Sequence, residues 1–170
     1  MSTTLKQLEA VPETYPTLDP AVPDAVWARL ESYIAWRFTP RAVTWVAEGP
    51  GAWCAPLAPA AISTVEIWNG ATWEAVTLDA APLASLRLPS AGPFKITAVV
   101  GSDMNVPAIV AQAAQRLAGY MSAKPGTPGA TTDRIQAGTV EIERSRSASW
   151  MASALQNSGA ADLLRNYRRA

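Results

Sequence analysis

Histidine is missing from this chain of 170 residues, and cysteine occurs once, as Cys54. The first absence removes the commonest general base and the commonest metal ligand together. Ser–His and Cys–His nucleophilic pairs are therefore impossible. A lone cysteine excludes an internal disulfide and argues against a stapled, secreted fold. Long apolar runs are lacking too: none approaches the roughly 18 residues of a membrane helix. MSTTLKQLEA has no basic start followed by an apolar core, so it does not read as a signal peptide. The expectation is a soluble protein of a reducing cytoplasm, with no membrane partner.

Net charge is absent as well. Fourteen basic and fourteen acidic residues cancel, which leaves no global field to draw the chain to nucleic acid or anionic lipid. The balance hides a slant. Residues 1–123 hold seven Lys/Arg against ten Asp/Glu, and residues 124–170 hold seven against four. Such a polarity can help subunits or partners orient.

Enzymatic readings fail on what remains. Nothing places Lys6, Lys95 or Lys124 beside a serine for a Ser–Lys dyad. Glu66 and Glu74 are the one candidate pair of carboxylates for acid–base work, and both are expected to face solvent. Gly101, Gly126 and Gly129 make no phosphate loop, because no Gly-Lys-Ser/Thr follows them. The expectation is no enzyme: no catalytic residue, no metal site and no cofactor.

What the chain does contain is apolar residues, 49% of the total, enough to bury a core as one domain. The organising stretch runs from Phe94 to Met121. Phe94, Ile96, Ala98 and Val100 alternate as a half-buried strand does. Asp103 or Asn105 is placed to cap a helix with Pro107 in its first turn. Val106, Ile109, Val110, Ala113, Ala114, Leu117, Ala118 and Met121 then make one apolar stripe with alanine at its middle. The fold class expected is α+β: a small helical bundle around this central Ala-rich helix, with an inserted short-stranded antiparallel β-sheet and an extended C-terminal arm.

The rest of the chain divides into four parts. Residues 1–22, with Pro12, Pro16 and Pro20, are expected as an extended N-terminal arm. Residues 23–123 form the core domain. In it a helix opens at Pro23, buries Val26, Trp27, Leu30, Tyr33, Ile34 and Phe38, turns Arg29, Glu31 and Arg37 outward, and stops before Pro40. Strands are expected at 42–47, 53–57, 62–68, 72–78, 85–88 and 94–100, with Asn69-Gly70 as a hairpin turn and Trp68 and Trp73 paired across it. Residues 124–140, rich in Pro-Gly turns, are expected as a flexible loop. Residues 141–170 read as a strand-and-helix arm for docking a partner, with Ser147 or Ser149 capping a helix and a last short helix from Ala160 to Tyr167.

Two features carry recognition. Seven tryptophans are many for this length, and Trp45, Trp53, Trp68 and Trp73 in the β insert are able to stack on sugars. A stacking platform for nucleic acid needs a basic groove, and residues 42–101 hold only Arg87 and Lys95. Interface and core roles are the expectation. The second feature is the end of the chain, where Leu163, Leu164, Arg165, Tyr167, Arg168 and Arg169 gather residue types common at binding hot spots.

The order of these parts resembles the head–tail connector (adaptor) proteins of tailed bacteriophages and gene transfer agents. The likeness lies in WCAPLAP, ISTVEIWNGATWEAVTL and FKITAVVG, then in VPAIVAQAAQRLAGYM, and finally in GTVEIE, SASWMASAL and SGAADLLRNYRR. It covers most of residues 20–170 and departs from the family's pattern at Lys124-Pro125-Gly126. The resemblance implies a structural virion protein of the neck, assembled in the host cytoplasm into a ring, usually dodecameric, under the portal. Such a ring extends the DNA channel, lets double-stranded DNA pass without sequence-specific binding, and meets the stopper protein. It further implies that Leu163, Leu164, Arg165, Tyr167, Arg168 and Arg169 grip the portal. Trp68, Trp73, Lys124, Pro125 and Arg134 would face neighbouring subunits or the stopper. The alternatives are a tail terminator or other minor tail component, and a glycan-binding module built on the Trp-rich insert.

Overall fold

The computed structural model describes residues 2–102, 105–123, 132–137, 140–145 and 149–169. The chain forms two compact units. One consists of Met1–Pro16, Glu31–Val106 and Asn166–Ala170, the other of Thr17–Leu30 and Pro107–Arg165.

The first unit is a β structure. Strands β1 (Thr3–Glu9), β2 (Arg41–Glu48), β4 (Ala60–Trp68), β5 (Trp73–Ala75) and β8 (Phe94–Val100) make a five-stranded sheet in the order β1-β2-β8-β4-β5, antiparallel throughout. Strands β3 (Gly51–Trp53), β6 (Ala80–Ala81) and β7 (Ser85–Leu88) make a second sheet in the order β3-β7-β6. Alternation decides which face is buried. On β2, Val43, Trp45 and Ala47 point inward, and they stand opposite Ala98, Ile96 and Phe94 of β8. Trp53 and Leu88 of the second sheet join the same core, where the Trp45 and Trp53 rings meet edge-on at 5.4 Å. Each of the larger side chains among them contributes about 1.5–3 kcal/mol by leaving water. Gly101 ends β8 at φ +85°, and a Cβ there would stand 2.2 Å from the Thr39 carbonyl oxygen.

The second unit carries the helices. These are α1 (Asp24–Glu31, whose last residue belongs to the first unit), α2 (Ala108–Ser122), α3 (Ala154–Asn157) and α4 (Ala160–Leu163). Helix α2 buries Val110, Ala113, Ala114 and Leu117 and packs with α3 and α4, whose junction turns at Gly159 with φ +73°. Strands β9 (Thr132–Ala137) and β10 (Val140–Ser145) form a two-stranded ribbon.

Four expectations need correction. The molecule is not a helical bundle with a sheet inserted in it. Two antiparallel sheets dominate one unit, and the strand before α2 is a central strand between β2 and β4. Local periodicity sees β8 but not its distant partners. The arm expected at residues 1–22 begins as a sheet strand, β1. The first helix ends at Glu31 rather than Phe38, because the Arg37 guanidinium takes over the chain: its Nη1 donates to the carbonyls of Glu31 at 3.0 Å and Ile34 at 2.8 Å. Those are carbonyls that a continuing helix would have used. Glu31 and Arg37 are accordingly buried rather than turned outward.

Smaller differences follow. Helix α2 starts behind Pro107 with no side-chain cap, and Asp103 lies outside the described residues. Of the loop expected at 124–140, residues 124–131 lie outside the description and Thr132–Ala137 is strand β9. Ser147 also lies outside it, and the last helix is α4 followed by a 3₁₀ turn at Arg165–Tyr167.

Candidate functional site

The charged cluster of the first unit is the feature most like a reaction centre, and residue patterns did not find it. Arg37 grips Glu9 with Nε at 2.5 Å and Nη2 at 3.0 Å. Arg41 grips Glu31 with Nη1 at 2.6 Å and Nη2 at 2.9 Å, reaches Glu9 at 3.3 Å, and donates to the Thr39 hydroxyl at 2.7 Å. Tyr15 lies over the Arg41 guanidinium at 5.8 Å. Two acids and two guanidinium groups cancel, and every one is committed to a partner within the chain. A cleft of about 400 Å³ adjoins the cluster, lined by Ala10, Val11, Glu13, Thr14, Thr39 and Arg41. Among the described residues, no three His, Cys, Asp or Glu side chains gather as metal ligands would, and no helix is long and apolar enough to cross a membrane.

The aromatic pair of the insert is formed. Trp68 and Trp73 face each other across β4 and β5 with ring centroids 5.4 Å apart at 59°. The turn between them has four residues: the Asn69 Oδ1 accepts from the N–H groups of Ala71 and Thr72, each at 2.9 Å, and Gly70 sits at φ +103°. Lys95 Nζ stands 5.1 Å over the Trp73 ring while bonding Glu66 at 2.6 Å. A sugar-stacking platform offers an open ring face. Here Trp73 carries a cation on one face and leans its ring against Trp68, which counts against a glycan site.

The C-terminal residues have different environments. Leu164 is wholly buried, so it has no surface to offer the portal and acts as core. Leu163 is half-buried. Arg165 is exposed and pairs with the equally exposed Asp162 at 2.9 Å, a contact worth little in water. Tyr167 packs edge-on against Trp36 at 6.1 Å and against Phe38 at 6.2 Å, and its carbonyl accepts from the Ala35 N–H at 2.8 Å. Arg168 lies 4.9 Å over the Tyr33 ring, and Arg169 is exposed. Arg134 is exposed on β9, whereas Lys124 and Pro125 lie outside the described residues.

Sequence reading also missed the polar residues on β1. Gln7 accepts the Trp45 indole N–H at 2.8 Å, and Thr4 accepts that of Trp53 at 2.9 Å. No local signal marks them, since the partners lie 38 and 49 residues away. Comparisons with protein-family models, with characterised proteins and with solved structures found no match to this chain.

Proposed function

We propose that this chain is a non-catalytic neck protein of a tailed phage, an adaptor that forms a ring between the portal and the next neck protein and extends the DNA channel. On this reading it works in the virion at the head–tail interface, touches passing double-stranded DNA without reading its sequence, and uses no cofactor. The order and spacing of the chain's parts supply the family likeness. The observation that carries the reading is the contrast between two sets of charges. Glu9, Glu31, Arg37 and Arg41 neutralise one another inside the chain. Arg165, Arg168 and Arg169 stay at the surface near the chain's end, where a partner can pair with them.

The test is charge reversal without truncation. A chain carrying R165E, R168E and R169E should keep its circular dichroism spectrum and fail to sediment with DNA-filled heads that bind the unaltered chain. Equal binding by both chains would remove the assignment.

A further inference from the structure

The five-stranded sheet has two open edges, and they belong to strands that complement one another. Strand β4 spans Ala60–Trp68, but β5 pairs only with Glu66, Ile67 and Trp68. One further bond, from the Val76 N–H to the Val65 carbonyl at 2.9 Å, extends that cover to Val65. Among the described residues no strand pairs with the outer side of Ala60–Thr64. All five of these residues are exposed, and the stretch holds neither a charge nor a proline. Proteins ordinarily guard such edges with lysine, proline or a covering loop, because free N–H and C=O groups recruit another strand. A bulge at Ser63 is tied inward, its hydroxyl donating to the Thr97 carbonyl at 3.0 Å. At the opposite edge β1 pairs with β2 alone, and Leu5 and Leu8 on it are 56% and 57% exposed.

Strand directions select the partner. Neighbours in β1-β2-β8-β4 are antiparallel at each step, so β1 and β4 run antiparallel to each other. A second copy set beside the first in the same orientation therefore presents β1 to β4 with the alternation unbroken. Charge points the same way. Two β1 strands paired together would bring their lysines close, whereas Lys6 against uncharged Ala60–Thr64 meets no like charge. Pairing β4 with β4 would leave both β1 edges open.

We propose that β1 of one copy adds to the Ala60–Thr64 edge of β4 in the next, joining successive subunits head to tail. Main-chain hydrogen bonds supply the attraction, as in other strand additions, and the contact covers part of Leu5, Leu8 and Ile62. Such a contact uses two different surfaces, so it repeats and closes into a ring when the rotation allows. The inference rests on reading the chain as a ring former.

Cysteine trapping in the full-length chain tests it. In a Cys54→Ser background, one chain carries Ile62→Cys and a second carries Leu5→Cys, Lys6→Cys or Leu8→Cys in turn. Facing Cα atoms of paired strands lie about 4.5–5.5 Å apart, within disulfide reach. Mild oxidation of the mixed chains at high concentration should give a heterodimer band, and a chain carrying both cysteines should give a ladder. Thr64→Lys added to the Ile62→Cys chain, at an exposed residue of the same edge, should reduce the trapped fraction roughly tenfold with an unchanged unfolding midpoint. Trapping of Ile62→Cys chains only with one another would overturn the proposal in favour of a two-fold pair. No trapped product from any partner, in a chain that still sediments with filled heads, would overturn it while leaving the neck reading intact. A ladder from a chain that never joins heads would keep the edge pairing and sink the neck reading.

Discussion

Arg41 holds both carboxylate oxygens of Glu31 in a two-pronged grip, with each side chain only 4% exposed. The grip ties the end of α1 to the start of β2. Glu9, which bonds both Arg37 and Arg41, brings in the end of β1. Removing one partner of a buried pair strands the other charge, at a cost of about 3–5 kcal/mol. Glu31→Gln should therefore lower the stability measured by urea unfolding by about 3 kcal/mol or more. The loss should persist at high salt, since buried pairs are screened little. A change below about 1 kcal/mol would mean that the pair behaves as a surface one.

The N-terminal strand is expected to matter through two indoles. Gln7 satisfies the N–H of Trp45, a residue with no exposed surface. A leucine at position 7 keeps much of the volume and orphans that donor, which costs about 1–3 kcal/mol. Gln7→Leu should thus lower the urea midpoint by that amount with an unchanged slope. The same Gln7→Leu change in a Trp45→Phe background, where no indole N–H is left to satisfy, should lose less. Equal losses in the two backgrounds would show that the hydrogen bond is not the cause.

The tip of the β6–β7 hairpin stores strain that substitution can release. Leu83 and Ala84 both lie at positive φ, +61° and +55°, and Leu83 is 92% exposed, so no packing holds it there. A left-handed conformation costs a residue with a Cβ roughly 1–2 kcal/mol. Asparagine and glycine adopt it readily. Replacing Leu83 by Asn and Ala84 by Gly should raise the thermal midpoint, with a gain of about 1 kcal/mol after the added freedom of glycine in the unfolded chain is subtracted. A lowered midpoint would mean that the turn is not strained.

How much of this was visible in the sequence depended on distance along the chain. Strand β8 announces itself by alternation, β2 and β4 by short apolar runs bounded by proline and glycine, and Trp68 with Trp73 by the turn between them, because those signals are local. The order β1-β2-β8-β4 is not local. It joins residues 41–47 to 94–100, and no periodicity encodes that pairing. Strand β1 was hidden for another reason: TTLKQLE keeps most of its side chains exposed, and its polar groups serve tryptophans far along the chain. The first helix was drawn too long because Ile34 and Phe38 continue its apolar spacing and are indeed buried. What stops it is one guanidinium, and hydrogen-bond competition of that kind leaves no compositional mark. At the C-terminus, residue type suggested glue throughout, whereas burial separates Leu164 from the arginines beside it.

That separation yields the last prediction. The Tyr167 ring packs on Trp36 and Phe38, and its carbonyl holds the Ala35 N–H, so the chain's end is part of the fold. Cutting the chain before Asn166 removes both contacts, and aromatic pairs of this kind are worth about 0.5–1.5 kcal/mol beyond the area they bury. The truncated chain should unfold at lower urea, and any loss of head binding by it would be ambiguous. Arg168 and Arg169 are exposed, so replacing both with serine should move stability by less than about 1 kcal/mol. If the arginines bind the portal, the serine variant loses sedimentation with filled heads while its urea curve stays nearly unchanged. If that variant binds heads as well as the parent, the arginines are solvated surface, and Tyr167 alone explains why the C-terminal end is ordered.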